Sequence, residues 1–157
     1  MTVAAHALRT NRAAPRKAAT RIVHSLVVGG TRGIGRAVVE TFAEQGHRVS
    51  VIGRRPPSDD DRRRPNVRYW VADVSDAACL NETLEAALDS HGSVSRVVFL
   101  QRYRGDGDNW AGEIETSLTA TKTIIERLRD RFDPAQENAI VMVSSVASPG
   151  LSPRSSP

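Results

Sequence analysis

Leu26-Val27-Val28-Gly29-Gly30-Thr31-Arg32-Gly33-Ile34-Gly35 is an apolar run that breaks into spaced glycines and then resumes with helical spacing. It reads as a strand, a tight turn and a helix start. Glycines at 29, 33 and 35 let the backbone take positive φ and come close to a ligand with no Cβ in the way. The helix that follows points its unsatisfied N–H groups and the positive end of its dipole at the same place. A strand, turn and helix start of this kind form a cradle for a phosphate.

Two other phosphate-binding patterns fail on spacing. Gly30 and Gly35 are followed by Arg36-Ala37, so the lysine and hydroxyl residue of a P-loop are missing. Gly33-Ile34-Gly35 is followed three positions on by Val38, which breaks the ordinary G-x-G-x-x-G dinucleotide pattern. What stands here is G-x-x-x-G-x-G, with Gly29, Gly33, Ile34 and Gly35 at the defining places and Thr31 and Arg32 between them. The segment resembles the coenzyme loop of the short-chain dehydrogenase/reductase family, with Val28 in place of the family's leading threonine.

The flanking chain alternates strands and helices. Ser25–Val28 is the first strand, and Ile34, Val38 and Phe42 mark one helix face that ends near Gly46. Residues 49–52 form the second strand, and the proline-bounded, charged stretch 56–65 reads as a solvated loop. Val67, Tyr69 and Val71 alternate as a third strand. Ser75 or Asp76 caps a helix with Leu80, Leu84, Ala87 and Leu88 on its apolar face. Residues 97–100 form the fourth strand. Trp110, Ile114, Leu118, Thr121, Ile125, Leu128 and Phe132 predict one six-turn helix, and residues 139–143 a fifth, buried strand. Such alternation predicts an α/β fold, a Rossmann-type doubly wound parallel sheet in the order 3-2-1-4-5, incomplete on its C-terminal side.

The chain has 157 residues and a net charge of +4. Residues 1–24 hold five basic residues and no acid, so the remaining body, with 17 basic and 18 acidic residues, is nearly neutral. Three parts follow: a basic arm over 1–24, a dinucleotide-binding domain over 25–148 and an irregular tail over 149–157. The basic residues of the arm have no interleaved aromatics, which argues against nucleic acid as a partner. No apolar run nears the ~20 residues of a membrane span. One cysteine, Cys79, cannot form an internal disulfide and suits a reducing compartment. The expectation is a cytoplasmic protein, with an organelle transit peptide as the other reading of the arm.

In a doubly wound sheet the ligand lies over the carboxyl ends of the strands. At the end of strand two, where an acid would bind the ribose of NAD, stand Arg54 and Arg55. Guanidinium matches a 2′-phosphate with a fork of donors, and Arg32 could close from the glycine turn, so NADP(H) is expected over NAD(H). Asp73 and Val74 look like the family's adenine-contact pair, although Asp73 could equally cap a helix. Beyond strand four the family's Asn-Asn-Ala-Gly is replaced by Leu100-Gln101-Arg102-Tyr103. Ser117 stands where the resemblance places a helix asparagine that holds a water in a proton relay. Ser145, in Val143-Ser144-Ser145-Val146-Ala147, matches the catalytic serine, whose hydroxyl orients the substrate oxygen.

The family's proton donor is a tyrosine followed four residues on by a lysine, and neither Tyr69 nor Tyr103 is so followed. The resemblance therefore implies an NADP-dependent oxidoreductase acting between carbonyl and alcohol, cut short before Tyr-x-x-x-Lys and catalytically incomplete as this chain. The alternative is a non-catalytic NADP-binding or regulatory module, or an inactive remnant. No metal site is expected. A sheet ending at strand five would expose an apolar edge, which predicts association of chains through it.

Overall fold

The computed structural model describes residues 22–106 and 108–143. Five parallel strands form one sheet: β1 (His24–Val28), β2 (Arg48–Gly53), β3 (Val67–Val71), β4 (Arg96–Phe99) and β5 (Ala139–Met142). Their order is β3-β2-β1-β4-β5, as the alternation of elements predicts. Val28 lies in register with Ile52 on one side and Phe99 on the other, so the strands that flank the glycine turn end level with it.

Crossover handedness distributes the helices. The chain moves from β1 through β2 to β3 in one direction and from β3 through β4 to β5 in the other. Right-handed connections therefore place the helices on opposite faces of the sheet. α1 (Gly33–Glu44) covers one face, where Val39 packs with Val27, Val49 and Val51. α3 (Ala77–His91) and α5 (Ala120–Leu128) cover the other, where Leu80, Leu84, Ile124 and Leu128 pack with Leu26, Val28 and Ile52. Alternate residues of β1 thus enter different cores, and an uninterrupted apolar run is what a strand buried on both faces needs.

Several expectations are corrected by packing. Stretch 56–65 is not all loop: α2 (Asp59–Arg62) begins at Ser58 with a reciprocal capping box to Asp61. Asp61 is buried and pairs with Arg36 of α1 at 3.1 Å, so one acid of the triplet anchors this segment while Asp59 and Asp60 stay exposed. Ile34 does not face the sheet but is 70% exposed. Asp76, not Ser75, caps α3, its Oδ1 accepting from the N–H groups of Ala78 and Cys79.

The six-turn helix is divided. α4 (Asn109–Glu113) passes into a π-helical segment, Ile114–Thr119, before α5. A π turn carries an extra residue and rotates everything after it relative to an α-helical stripe. Thr116, Ala120, Ile124 and Leu128 consequently face inward, while Trp110 and Leu118 are exposed. β5 is also not buried: Ile140, Val141 and Met142 are exposed, and among the described residues β4 is its only neighbour. No helix among the described residues is long and apolar enough to cross a membrane.

Candidate functional site

A cleft of about 450 Å³ opens over the carboxyl ends of the strands. Its floor is the glycine turn after β1, which contributes Gly29, Thr31 and Arg32. Gly29 has φ of +87° and lies so close to the chain leaving β4 that a Cβ there would stand 2.8 Å from the Gln101 nitrogen. A Cβ on Gly35 would run into the carbonyl oxygen of Gly29. The turn and the first turn of α1 can meet only as glycines.

Arg32 occupies the N-cap of α1 without any side-chain capping bond. The first N–H groups of this twelve-residue helix are therefore left to whatever sits over the turn. Nothing lies within 4 Å of where a Cβ of Gly33 would be. Gly33, Ile34 and Gly35 start the helix beneath the cleft and are not part of its wall.

Arg54 and Arg55 follow β2 and line one flank of the cleft, with Asp73 and Val74 beyond them at the end of β3. Burial pushes the Asp73 carboxyl up, but bonds from Ser75 Oγ (2.7 Å) and N (3.0 Å), together with the charge of Arg54, outweigh it. The net effect holds Asp73 below its ordinary range, ionised and acceptor-only at neutral pH. It is not a helix cap, since Asp76 has that role.

The other flank follows β4: Leu100, Gln101, Arg102 and Arg104, with Thr116 of the π segment. Gln101 Nε2 donates to Thr121 Oγ1 at 2.7 Å and ties this loop to α5. Ser117 lies outside the cleft wall. Its hydroxyl donates to Glu113 Oε2, and its neighbours across a second, shallower groove are Leu118, Thr121 and Met142. Ser145 lies outside the described residues, as do residues 1–21 of the arm and all of the tail. Neither of the chain's two tyrosines lines the cleft.

The structure thus brings Gly29, Thr31, Arg32, Arg54, Arg55, Asp73 and Val74 to one cavity. It adds Arg102, Arg104 and Thr116, which sequence reasoning missed. The departure from the family pattern after strand four was the only signal for the two arginines. Among the described residues no cluster of three metal-binding side chains occurs.

A cleft with a glycine floor, uncapped helix N–H groups and Arg32, Arg54 and Arg55 on its turn and flank suits a phosphate-rich ligand. Residues 23–156 match the family model described as short chain dehydrogenase. The chain is 28% identical over 136 residues to an uncharacterized oxidoreductase of Mycobacterium tuberculosis, covering 77% of this chain and 54% of that protein. It spans about half the length of the curated relatives it matches. Among solved structures it is similar to ElxO with NADP bound, at TM-score 0.65 and 19% identity, covering 80% of this chain and 56% of that one. It is also similar to a short chain dehydrogenase of Leptospira borgpetersenii with bound NAD+, at TM-score 0.60 and 16% identity, covering 69% and 45%.

Proposed function

Because the chain belongs to the short chain dehydrogenase family, we propose that it binds NADP(H) over the strand ends as the coenzyme-binding part of a carbonyl/alcohol oxidoreductase. Fold and family imply a nicotinamide coenzyme, and solved neighbours carry either form. The observation that carries the NADP(H) choice is the cluster of Arg32, Arg54 and Arg55 on the cleft, at the strand end where an NAD site would present an acid.

Each residue then has a task. Gly29 and Gly35 keep the turn low enough for backbone N–H groups to reach a pyrophosphate, with Thr31 beside them and Gly33 and Ile34 opening the helix. Arg54 and Arg55 hold the 2′-phosphate from one side and Arg32 from the other. Asp73 accepts from the adenine amine and Val74 covers the ring. Ser145 is assigned the hydrogen bond that orients a substrate oxygen. When bound, the coenzyme supplies or takes up hydride. The 157 residues hold no Tyr-x-x-x-Lys pair, so by themselves they are expected to bind coenzyme without turning substrate over. The placement of Ser117 away from the cleft favours a second reading, a binding module without proton-relay chemistry.

Fluorescence titration of the purified chain with NADPH and NADH tests the first reading. NADPH should bind at least about tenfold more tightly, a difference of about 1.4 kcal/mol. Arg54→Gln should remove most of that preference. Equal affinity for the two forms would refute the assignment of Arg54.

A further inference from the structure

We infer that the flank of the cleft after β4 takes an anionic ligand, a substrate bearing a carboxylate or phosphate, gripped by Arg102 and Arg104. The inference rests on reading the cleft as a dinucleotide site and adds a substrate class to it.

Strand order separates two pairs of arginines. β1 and its glycine turn lie between β2 and β4. Arg54 and Arg55 leave the end of β2, while Arg102 and Arg104 lie beyond the end of β4. With strands about 4.8 Å apart, these two strand ends are separated by about 10 Å, with the turn in the middle. A dinucleotide whose pyrophosphate sits on the turn and whose adenosine lies toward β2 and β3 extends its other half toward β4. Arg102 and Arg104 therefore stand where the reacting end and its substrate would be, on the far side from the 2′-phosphate.

The loop is built to hold them there. Tyr103, between the two arginines, packs its ring on Gly105 and Gly112, where a Cβ on either glycine would run into it. The Tyr103 N–H donates to Glu113 Oε1 at 3.2 Å. With the middle residue pinned away from the cleft, the residues on either side share the opposite face, as alternate residues of extended chain do. Both line the cavity.

Their charges are also left over. Arg36, Arg63, Arg64 and Arg131 pair with carboxylates, whereas Arg102 and Arg104, like Arg54 and Arg55 across the same cleft, make no ion pair among the described residues. Two acids that follow the loop have other partners: Asp108 caps α4, and Glu113 accepts from Tyr103 and Ser117. Among the described residues Asp73 is the sole carboxylate on the cavity wall, against five guanidinium groups, and it is bonded to Ser75. A neutral carbonyl compound would leave two neighbouring cations on this flank without a counter-charge. A carboxylate or phosphate would meet their donor forks.

The test uses the chain saturated with NADPH, titrated by calorimetry with acetoacetate, with dihydroxyacetone phosphate and with the uncharged ethyl acetoacetate. At least one of the two anions should bind about tenfold or more tightly than the ester, and the stronger of the two identifies the headgroup. In the Arg102→Gln/Arg104→Gln chain that advantage should vanish while NADPH affinity stays within about threefold, and Arg102→Lys/Arg104→Lys should restore part of it. Equal binding of acid and ester, no binding of either anion, or a double variant that loses NADPH as severely as the anion would overturn the inference. If NADPH itself fails to bind but the anion still binds in an Arg102/Arg104-dependent way, the coenzyme reading falls and this site stands.

Discussion

Lowering the pH from 7.5 to 5 should remove about 1 kcal/mol of folding stability through His91, after solvent screening at this part-exposed ring is allowed for. His91 ends α3 beneath the amino-terminal edge of the sheet, with its Nδ1 3.2 Å from Ser50 Oγ. Ser50 Oγ is in turn 2.8 Å from His24 Nε2, and His24 Nδ1 is 2.8 Å from the carbonyl oxygen of Gly92. The carbonyl can only accept, so His24 carries its proton on Nδ1 and takes the Ser50 hydroxyl proton at Nε2. Ser50 Oγ is then free to accept from His91 Nδ1–H. A second proton on His24 would take Nε2 away from the Ser50 hydroxyl, whereas on His91 it would enter Nε2, outside this chain of bonds, where burial and the neighbouring positive charges oppose it.

Burial, the neighbouring His24 and the charges of Arg68 and Arg48 lower His91 from 6.5 to about 4, and Trp70 meets its ring edge-on. Because the folded value lies below the unfolded one, the contribution is complete above pH 6.5 and is lost as pH falls toward 4. Integrating the linkage gives an upper bound of about 2 kcal/mol lost at pH 5, which solvent screening of the part-exposed ring reduces to about 1. Urea unfolding followed by circular dichroism at pH 7.5 and 5 measures this directly. His91→Asn keeps a donor for Ser50 but cannot titrate, so it should lose about 1 kcal/mol less than the native chain over that interval. If the two chains lose the same stability within about 0.5 kcal/mol, the network does not act as described.

Two further substitutions probe the fold that carries the cleft. Asp76→Ala removes the only side-chain cap of α3 and should lower the unfolding free energy by about 1 kcal/mol, read from the urea midpoint. Gly35→Ala pushes a methyl group into the Gly29 carbonyl, so the thermal midpoint and NADPH affinity should fall together. Retention of both would show that the turn has room to give.

Local pattern was enough for the strands, the glycine turn and the strand order. Apolar runs of four or five residues between helical repeats have few places to go but a doubly covered parallel sheet, and crossover handedness then sets which face each helix takes. Distance from the glycine turn also located Arg54 and Arg55, and the family resemblance Asp73 and Val74, each at a strand end that the topology brings to the same cavity. Where local pattern misled, a non-local contact had intervened. The stripe from Trp110 to Phe132 has helical spacing, yet the π segment turns Thr116, Ala120 and Ile124 inward in place of Leu118. Asp61 looks like one acid in a charged loop until Arg36 and Ser58 meet it.

What sequence alone determined, then, is the scaffold and the flank of the cleft at the ends of β2 and β3, since both follow from spacing along the chain. The β4 flank was decided by tertiary structure. Arg102 and Arg104 face the cavity because Tyr103 is seated against Gly112 of α4, a contact with no signature in either segment read alone. The exposure of β5 likewise depends on what stands beside a strand and not on its composition, and a run such as Ala139–Met142 reads the same at a sheet's edge as at its centre.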